Sequence, residues 1–122
     1  MPLKVKNKRA DRRYPLSTDW GAEIEFDVLE GGHYRLPLLN INSHGLAFSF
    51  PEPSPDIKPG CMLAAAKIHV GAQVIRGTLV VQHIMRDHSK HNCGAQFYPA
   101  SNADRDELAS LLSRLQSISE LP

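Results

Sequence analysis

The sequence predicts an all-β fold: a small antiparallel β-barrel of six strands, closed by one C-terminal α-helix. Three observations lead to this prediction. Six short segments alternate apolar and polar residues with period two, which is typical of half-buried strands. Turn-forming residues separate these segments. The C-terminal segment changes to helical spacing, and closure into a barrel is how a small antiparallel sheet removes its exposed edges.

The six predicted strands cover residues 22–28, 34–41, 46–50, 61–70, 73–84 and 92–98. In the first of them Ile24, Phe26 and Val28 share one face, as period two requires. Glycines within residues 30–32 tolerate positive φ and predict a hairpin to the second strand. Residues 51–60 carry four prolines, which cannot donate hydrogen bonds to a sheet, so this stretch predicts a loop.

The C-terminal helix is predicted from apolar residues at helical spacing. These residues are Leu108, Leu111, Leu112, Leu115 and Ile118. Ser101 or Asn102 is the expected N-cap, and Asp104, Asp106 and Glu107 follow in the first turn, where the helix dipole favours negative charge. We expect this helix to cover one open end of the barrel.

The length of 122 residues fits one domain. A net charge of only +1 excludes a broadly basic surface of the kind that binds duplex nucleic acid. Basic residues nevertheless concentrate at the N-terminus, at Lys4, Lys6, Lys8, Arg9, Arg12 and Arg13. We therefore predict two parts, a flexible basic arm over residues 1–14 and a barrel with its C-terminal helix over residues 15–122.

The cysteine content and the absence of long apolar runs predict the compartment. Cys61 and Cys93 are too few for a disulfide framework, and we expect free thiols buried in a reducing cytoplasm. No apolar run is long enough to cross a bilayer, and the charged N-terminus lacks the apolar stretch of a signal peptide. A cytoplasmic protein without a membrane span is predicted.

Two motifs carry residue types that suit a nucleotide. The first spans residues 9–13 and contains Arg9, Arg12 and Arg13. Arginine forks match phosphate oxygens and the O6/N7 edge of guanine, and they stack on purines. The second spans residues 40–45 and contains Asn40, Asn42, Ser43 and Gly45. Such a turn offers amides and backbone donors, and its glycine allows close approach.

In this order the two motifs resemble those of PilZ domains, which are receptors for the bacterial second messenger cyclic-di-GMP. Arg9 and Arg13 match the family's Arg-x-x-x-Arg motif, and Arg12 is an additional arginine. Asn40 and Gly45 match the ends of the Asp/Asn-x-Ser-x-x-Gly motif. The central residue departs from the pattern, because asparagine stands at position 42 where the family has serine.

The resemblance covers about residues 9–118 and implies a PilZ-type barrel with a cyclic-di-GMP site on its outer face, over which the arginine arm folds. The implied ligand-binding residues are Arg9, Arg12, Arg13, Asn40, Asn42, Ser43 and Gly45. The resemblance further implies a receptor and not an enzyme, without a cofactor or a metal. Its implied partner is an unidentified effector protein in motility, surface polysaccharide synthesis or virulence control.

Two other functions stay open. Because Asn42 stands at the serine position, the chain could be a PilZ-like protein-interaction module that does not bind the nucleotide. A third reading is a single-stranded nucleic-acid binder on a small barrel. It needs a basic and aromatic strand face, and the predicted strands have few such residues.

A histidine-rich stretch raises the question of a metal. It contains His83, His88, His91 and Cys93. This spacing is not a known zinc pattern, and the polar residues between them predict a turn between the last two strands instead. His83 has a second possible role, facing the ligand from its strand. No nucleophile and base are paired, and Trp20 is expected in the core rather than stacked on a base.

Overall fold

The computed structural model describes residues 14–16, 20–28, 32–50, 57–87 and 90–119. Within these ranges seven strands precede one helix. They are β1 (Tyr14–Pro15), β2 (Glu23–Asp27), β3 (His33–Ile41), β4 (Gly45–Phe50), β5 (Met62–Val70), β6 (Gln73–Asp87), β7 (Lys90–Pro99) and α1 (Asn102–Ser119). No helix in this part of the chain has the length and apolar character that a membrane crossing requires.

The strands form one antiparallel sheet that closes on itself. Their order is β1-β3-β2-β5-β6-β7-β4, and β4 also pairs with β3. Strands β2 to β7 therefore make a six-stranded barrel, which confirms the predicted fold class. The short strand β1 was not predicted, because two residues show no alternation; it pairs with the end of β3.

Alternate residues of the strands fill the barrel. Phe26 and Phe48 are fully buried, and their ring centroids lie 5.4 Å apart. Ile24, Ile68 and Leu79 are also fully buried. The burial of each such side chain stabilises the folded state by about 1.5–3 kcal/mol. Because strand side chains alternate, the residues between these core positions point outward and are free to form a surface site.

Helix α1 begins at a side-chain cap. Ser101 Oγ accepts a hydrogen bond from the Asp104 backbone N–H at 3.1 Å and donates to Asp104 Oδ2 at 2.6 Å, so Ser101 is the N-cap. Asp104 Oδ1 also accepts from the backbone N–H of Arg76 on β6 at 2.9 Å. The buried residues Leu108, Leu111 and Leu115 belong to the core, and α1 contacts β6, β7 and β1. The helix is thereby fixed at the end of the barrel where β6 begins.

The predicted polar turn before Asn92 is shorter than expected, and that prediction is wrong over most of its length. Pairing continues beyond Ile84 with Met85 opposite Asn92, and it ends with Asp87 opposite Lys90. Strands β6 and β7 therefore extend beyond the residues that alternate in the sequence. Met85 is 61% exposed, so burial on one face no longer imposes the alternation that a sequence pattern detects.

A charge network lies on the outer face of β2, β3 and β5. Glu25 accepts hydrogen bonds from His69 Nε2 at 2.7 Å and from His33 Nε2 at 2.9 Å. The second ring nitrogen of His33 lies 2.6 Å from Asp27 Oδ1. The hydrogen bond to Asp27, together with both carboxylate charges, raises the pKa of His33, and the hydrogen bond from His69 lowers the pKa of Glu25. His33 is thus favoured as a cation that donates from both nitrogens.

This network predicts a pH-dependent stability. His33→Gln is expected to destabilise the barrel at about pH 6 and to have little effect at about pH 9. Because the folded pKa of His33 is raised, its contribution is complete below the unfolded value of about 6.5 and is lost as pH rises through the folded value. Urea unfolding of both proteins measures the difference in the free energy of unfolding. A difference that is equal at both pH values would contradict the prediction.

Candidate functional site

Four outward-facing residues form one row across neighbouring strands. Asn40 on β3 pairs with Ala47 on β4, Ala47 pairs with Gly94 on β7, and Gly94 pairs with His83 on β6. Residues that oppose each other in an antiparallel sheet lie on the same face. Asn40 and His83 therefore stand on either side of a floor made of two small residues.

Two irregularities in the strand pairing place these polar residues outside. Leu38 and Val81 are buried in the barrel, and residues two positions further along a regular strand would point the same way. A register shift between Leu38 and Asn40, and another between Val81 and His83, insert one extra residue each. Such a bulge reverses the side-chain direction. Asn40 and His83 consequently reach the outer surface.

The row lies in an elongated depression, which we call the outer groove. One part has a volume of about 320 Å³ and is lined by Leu39, Asn40, Ala47, His83, Met85, Asn92, Cys93 and Gly94. The adjoining part has a volume of about 220 Å³ and is lined by His44, Gly45, Gln82, His83, Gly94, Ala95 and Gln96. His83 and Gly94 line both parts, so the two adjoin at these residues. The size falls in the range of small-molecule sites.

The imidazole of His83 lies directly over Gly94. A Cβ atom added to Gly94 would be 2.5 Å from His83 Cε1 and 2.8 Å from Nε2, closer than real contacts allow. Only glycine leaves room for the ring in this position. His83 therefore covers the floor of the groove and keeps an exposed face.

The turn between β3 and β4 is held by the side chain of Asn42. Asn42 Oδ1 accepts hydrogen bonds from the backbone N–H groups of His44 and Gly45, both at 2.9 Å. The Asn42 backbone N–H donates to the Gly45 carbonyl at 2.9 Å. Asn42 is only 7% exposed, whereas Ser43 and His44 are exposed. The residue that departs from the family pattern thus fixes the turn that presents Gly45.

Asn42→Ala is expected to lower the free energy of unfolding by about 1–3 kcal/mol, because it leaves two backbone N–H groups without their acceptor. Asn42→Asp is the matched control, since it keeps an oxygen at the same place and aspartate forms the same type of turn. Chemical denaturation of both variants measures the effect. Equal losses in the two variants would show that the side-chain oxygen is not what holds the turn.

Gly45 is required by the approach of β4 to β7. A Cβ atom at this position would lie 2.2 Å from the carbonyl oxygen of Ala95. This reason for a glycine is independent of any ligand. Gly45 nevertheless lines the groove next to His44.

Strand β1, which follows the basic segment in the sequence, lies beside the outer groove. Tyr14 pairs with Ile41 and Pro15 with Asn40, and the Leu16 backbone N–H donates to the Leu39 carbonyl at 3.0 Å. The predicted ligand residues Arg9, Arg12 and Arg13 lie outside the described residues, so their contacts stay predictions.

The aromatic residues near the arm belong to the core. Tyr14 is buried, and Trp20 is partly buried and packs against the core. The expectation that Trp20 is a core residue is confirmed.

Cys93 and His91 pack against other residues of the barrel. Cys93 is fully buried, and desolvation raises the pKa of its thiol to about 12, so it stays neutral. The ring of His91 stacks on Phe50 with centroids 5.5 Å apart. His88 lies outside the described residues. In the described ranges no three histidine, cysteine or acidic side chains are grouped so that they could hold a metal ion.

Sequence reasoning did not identify the floor and far wall of the groove. Ala47, Met85, Asn92 and Gln96 line it only because of strand register, which no local pattern encodes. Gly94 is the exception, because an isolated glycine inside a strand often marks a close approach of another group. That signal was available in the sequence and is explained by His83.

The chain is similar in fold to several solved structures. No protein-family model matches the chain, and no curated protein matches it. The K. pneumonia MrkH-c-di-GMP complex is similar with a TM-score of 0.80 at 17% identity, covering 88% of this chain and 51% of that one. Bacillus subtilis MotI/DgrA, an inhibitor of motility, has a TM-score of 0.67 at 18% identity, covering 82% and 49%.

The chain spans about half the length of MrkH and MotI. It corresponds instead to a single domain of another solved protein, the PilZ domain of Escherichia coli YcgR with c-di-GMP. That likeness has a TM-score of 0.72 at 13% identity and covers 88% of this chain and 91% of the YcgR domain. The likeness in fold therefore extends over nearly the whole of both chains. The chain therefore has the fold of a PilZ domain.

Proposed function

We propose that this chain is a cytoplasmic receptor for cyclic-di-GMP that signals to a partner protein and is not an enzyme. One observation carries the proposal: β1 pairs Pro15 with Asn40, which lines the outer groove. The first motif ends at Arg13, directly before β1, and the second begins at Asn40, and we propose that both meet the ligand at this depression. A nucleotide in that depression would meet both.

The chemistry of the groove suits this ligand. Cyclic-di-GMP has two guanine bases and two anionic phosphodiester groups. Asn40, Asn92 and Gln96 offer amide donors and acceptors for a base edge. The flat imidazole of His83 offers a stacking surface, since bases stack on histidine as well as on larger aromatic rings. Because this imidazole occupies the space above Gly94, we propose that a base stacks on the ring and not on the floor beneath it.

The arginine arm would supply the positive charge that arginine and lysine do not provide among the described lining residues of the groove. The arginines of residues 9–13 can pair with phosphates and with guanine O6 and N7. We propose that binding orders the arm over the ligand, and that the new surface engages an effector protein. The structural neighbours support this reading, because MrkH and the YcgR domain are described with c-di-GMP and MotI as an inhibitor of motility.

The first test is isothermal titration calorimetry of the full chain with cyclic-di-GMP, with GTP as the control ligand. We expect a dissociation constant of about 1 μM or tighter for cyclic-di-GMP and no comparable heat for GTP. The fitted stoichiometry tells whether one ligand or a stacked pair binds. Absence of heat at high ligand concentration would contradict the receptor proposal and favour a protein-interaction module.

A further inference from the structure

Gln96 lies on the outer face of β7, at the edge of the outer groove. It pairs with Gly45 on β4 and with Val80 on β6. Because Gly45 has no side chain, Gln96 is open toward β4, and it lines the part of the groove that is about 220 Å³ in volume. The amide of Gln96 is therefore within reach of a molecule bound in this part of the groove.

The amide of Gln96 is oriented by a tyrosine outside the groove. The Tyr98 hydroxyl donates a hydrogen bond to Gln96 Oε1 at 2.7 Å. Tyr98 is 51% exposed and lines neither described part of the groove. An amide oxygen only accepts hydrogen bonds, so a donating hydroxyl fixes which arm of the amide faces Tyr98. The amide nitrogen has no partner among the described residues, and its N–H donors are left for a ligand.

An amide that is held in this way selects a different base from one that uses both of its arms. A glutamine that uses its oxygen and its nitrogen together forms a bidentate pair with N6 and N7 of adenine. Guanine has the acceptor O6 in place of the N6 amino group, so the same edge of guanine presents two acceptors. A glutamine that presents only donors suits guanine and does not suit the amino group of adenine.

We infer that Tyr98 is a positioning residue, which holds Gln96 as a donor that selects purines with an oxygen at C6 over purines with an amino group at C6. The inference rests on the proposed function and names the part of the ligand that the groove reads. His83 lines the same part of the groove and lies over Gly94, two residues before Gln96. Residues two apart on a strand face are separated by about 7 Å, so a base stacked on His83 would bring one edge near Gln96.

The experiment compares two ligands that differ at C6 of the base. Cyclic-di-IMP and cyclic-di-AMP both lack the 2-amino group of guanine, and they differ in the C6 substituent and in the N1 proton that accompanies the oxygen. Their dissociation constants are measured by competition with fluorescent cyclic-di-GMP. We expect the wild type to prefer cyclic-di-IMP by at least about tenfold, and Tyr98→Phe to lower this preference about fivefold. Circular dichroism checks that the variants are folded.

Two further variants separate positioning from other roles of the hydroxyl. Tyr34→Phe is the matched control, because it removes a hydroxyl from another tyrosine of the barrel that lines neither described part of the groove. This variant is expected to keep the wild-type preference. Gln96→Leu is expected to lower the preference, and adding Tyr98→Phe to Gln96→Leu is expected to lower it no further, because the hydroxyl acts through the amide.

The preference between the two ligands decides the inference. A Tyr98→Phe variant that keeps or increases the preference for cyclic-di-IMP would overturn it, and so would a wild type without any preference. A Tyr34→Phe variant that loses the preference, or additive losses in the double variant, would overturn it too. All these results leave the receptor proposal intact, whereas a wild type that does not bind cyclic-di-GMP would overturn the receptor proposal and the inference with it.

Discussion

Replacing Arg9 and Arg13 together by alanine is expected to weaken cyclic-di-GMP binding by at least about a hundredfold. Each arginine can form charge-assisted, two-pronged hydrogen bonds with a phosphate or a guanine edge. A hydrogen bond to a charged group is worth about 1.5–3 kcal/mol, so the loss of both arginines removes about 3–6 kcal/mol. Stability should not change, because the described core begins at Tyr14.

The measurement combines calorimetric titration with thermal unfolding. The matched control is Lys4→Ala/Lys6→Ala. It also removes two positive charges from the arm, but outside the motif. If the arginines act by specific contacts, this control retains nearly all of the affinity, because diffuse attraction between exposed charges is weak. Equal losses of affinity in the two double variants would show that the arm acts only through nonspecific positive charge. An unchanged affinity in the arginine variant would refute the proposed clamp.

The barrel could be predicted from the sequence because burial imposes alternation. Where a strand has one face in the core, as around Ile24 and Phe26, the period-two pattern is clear and the strand was found. Beyond Ile84, where Met85 is 61% exposed, the pattern vanishes and the strand end was missed. The two residues of β1 are too few to show any period. Its pairing depends on the distant end of β3 instead.

The site was only partly predictable, for a different physical reason. The motif at residues 40–45 indicated a ligand turn, and the structure places Asn40 and Gly45 in the groove. Whether a side chain points into or out of a barrel, however, depends on strand register. The bulges before Asn40 and His83 are not visible in a local pattern, and each reverses that direction. The position of His83 in the groove could therefore not be predicted, and it follows from the pairing of His83 with Gly94.

Gly45→Ala is expected to lower the free energy of unfolding by about 1–3 kcal/mol, the usual cost of forcing extra volume into a packed region. The added Cβ would lie 2.2 Å from the Ala95 carbonyl oxygen and 3.2 Å from Gln96 Cα. These are backbone atoms of β7 that cannot move alone, since Gly45 pairs directly with Gln96 in the β4–β7 ladder. The clash must be relieved by separating two strands that close the barrel. Binding is expected to weaken as well, because the same strands form the groove floor.

Gly94→Ala is the matched control, because its new Cβ meets the side chain of His83 and not a backbone. An imidazole can rotate away, so this variant is expected to lose less stability than Gly45→Ala while displacing the ring that covers the groove. Urea unfolding and calorimetric titration of both variants separate the two effects. If Gly94→Ala leaves affinity unchanged, the position of His83 over the floor does not matter for the ligand. If Gly45→Ala unfolds like the wild type but does not bind, the glycine serves the ligand rather than the barrel seam.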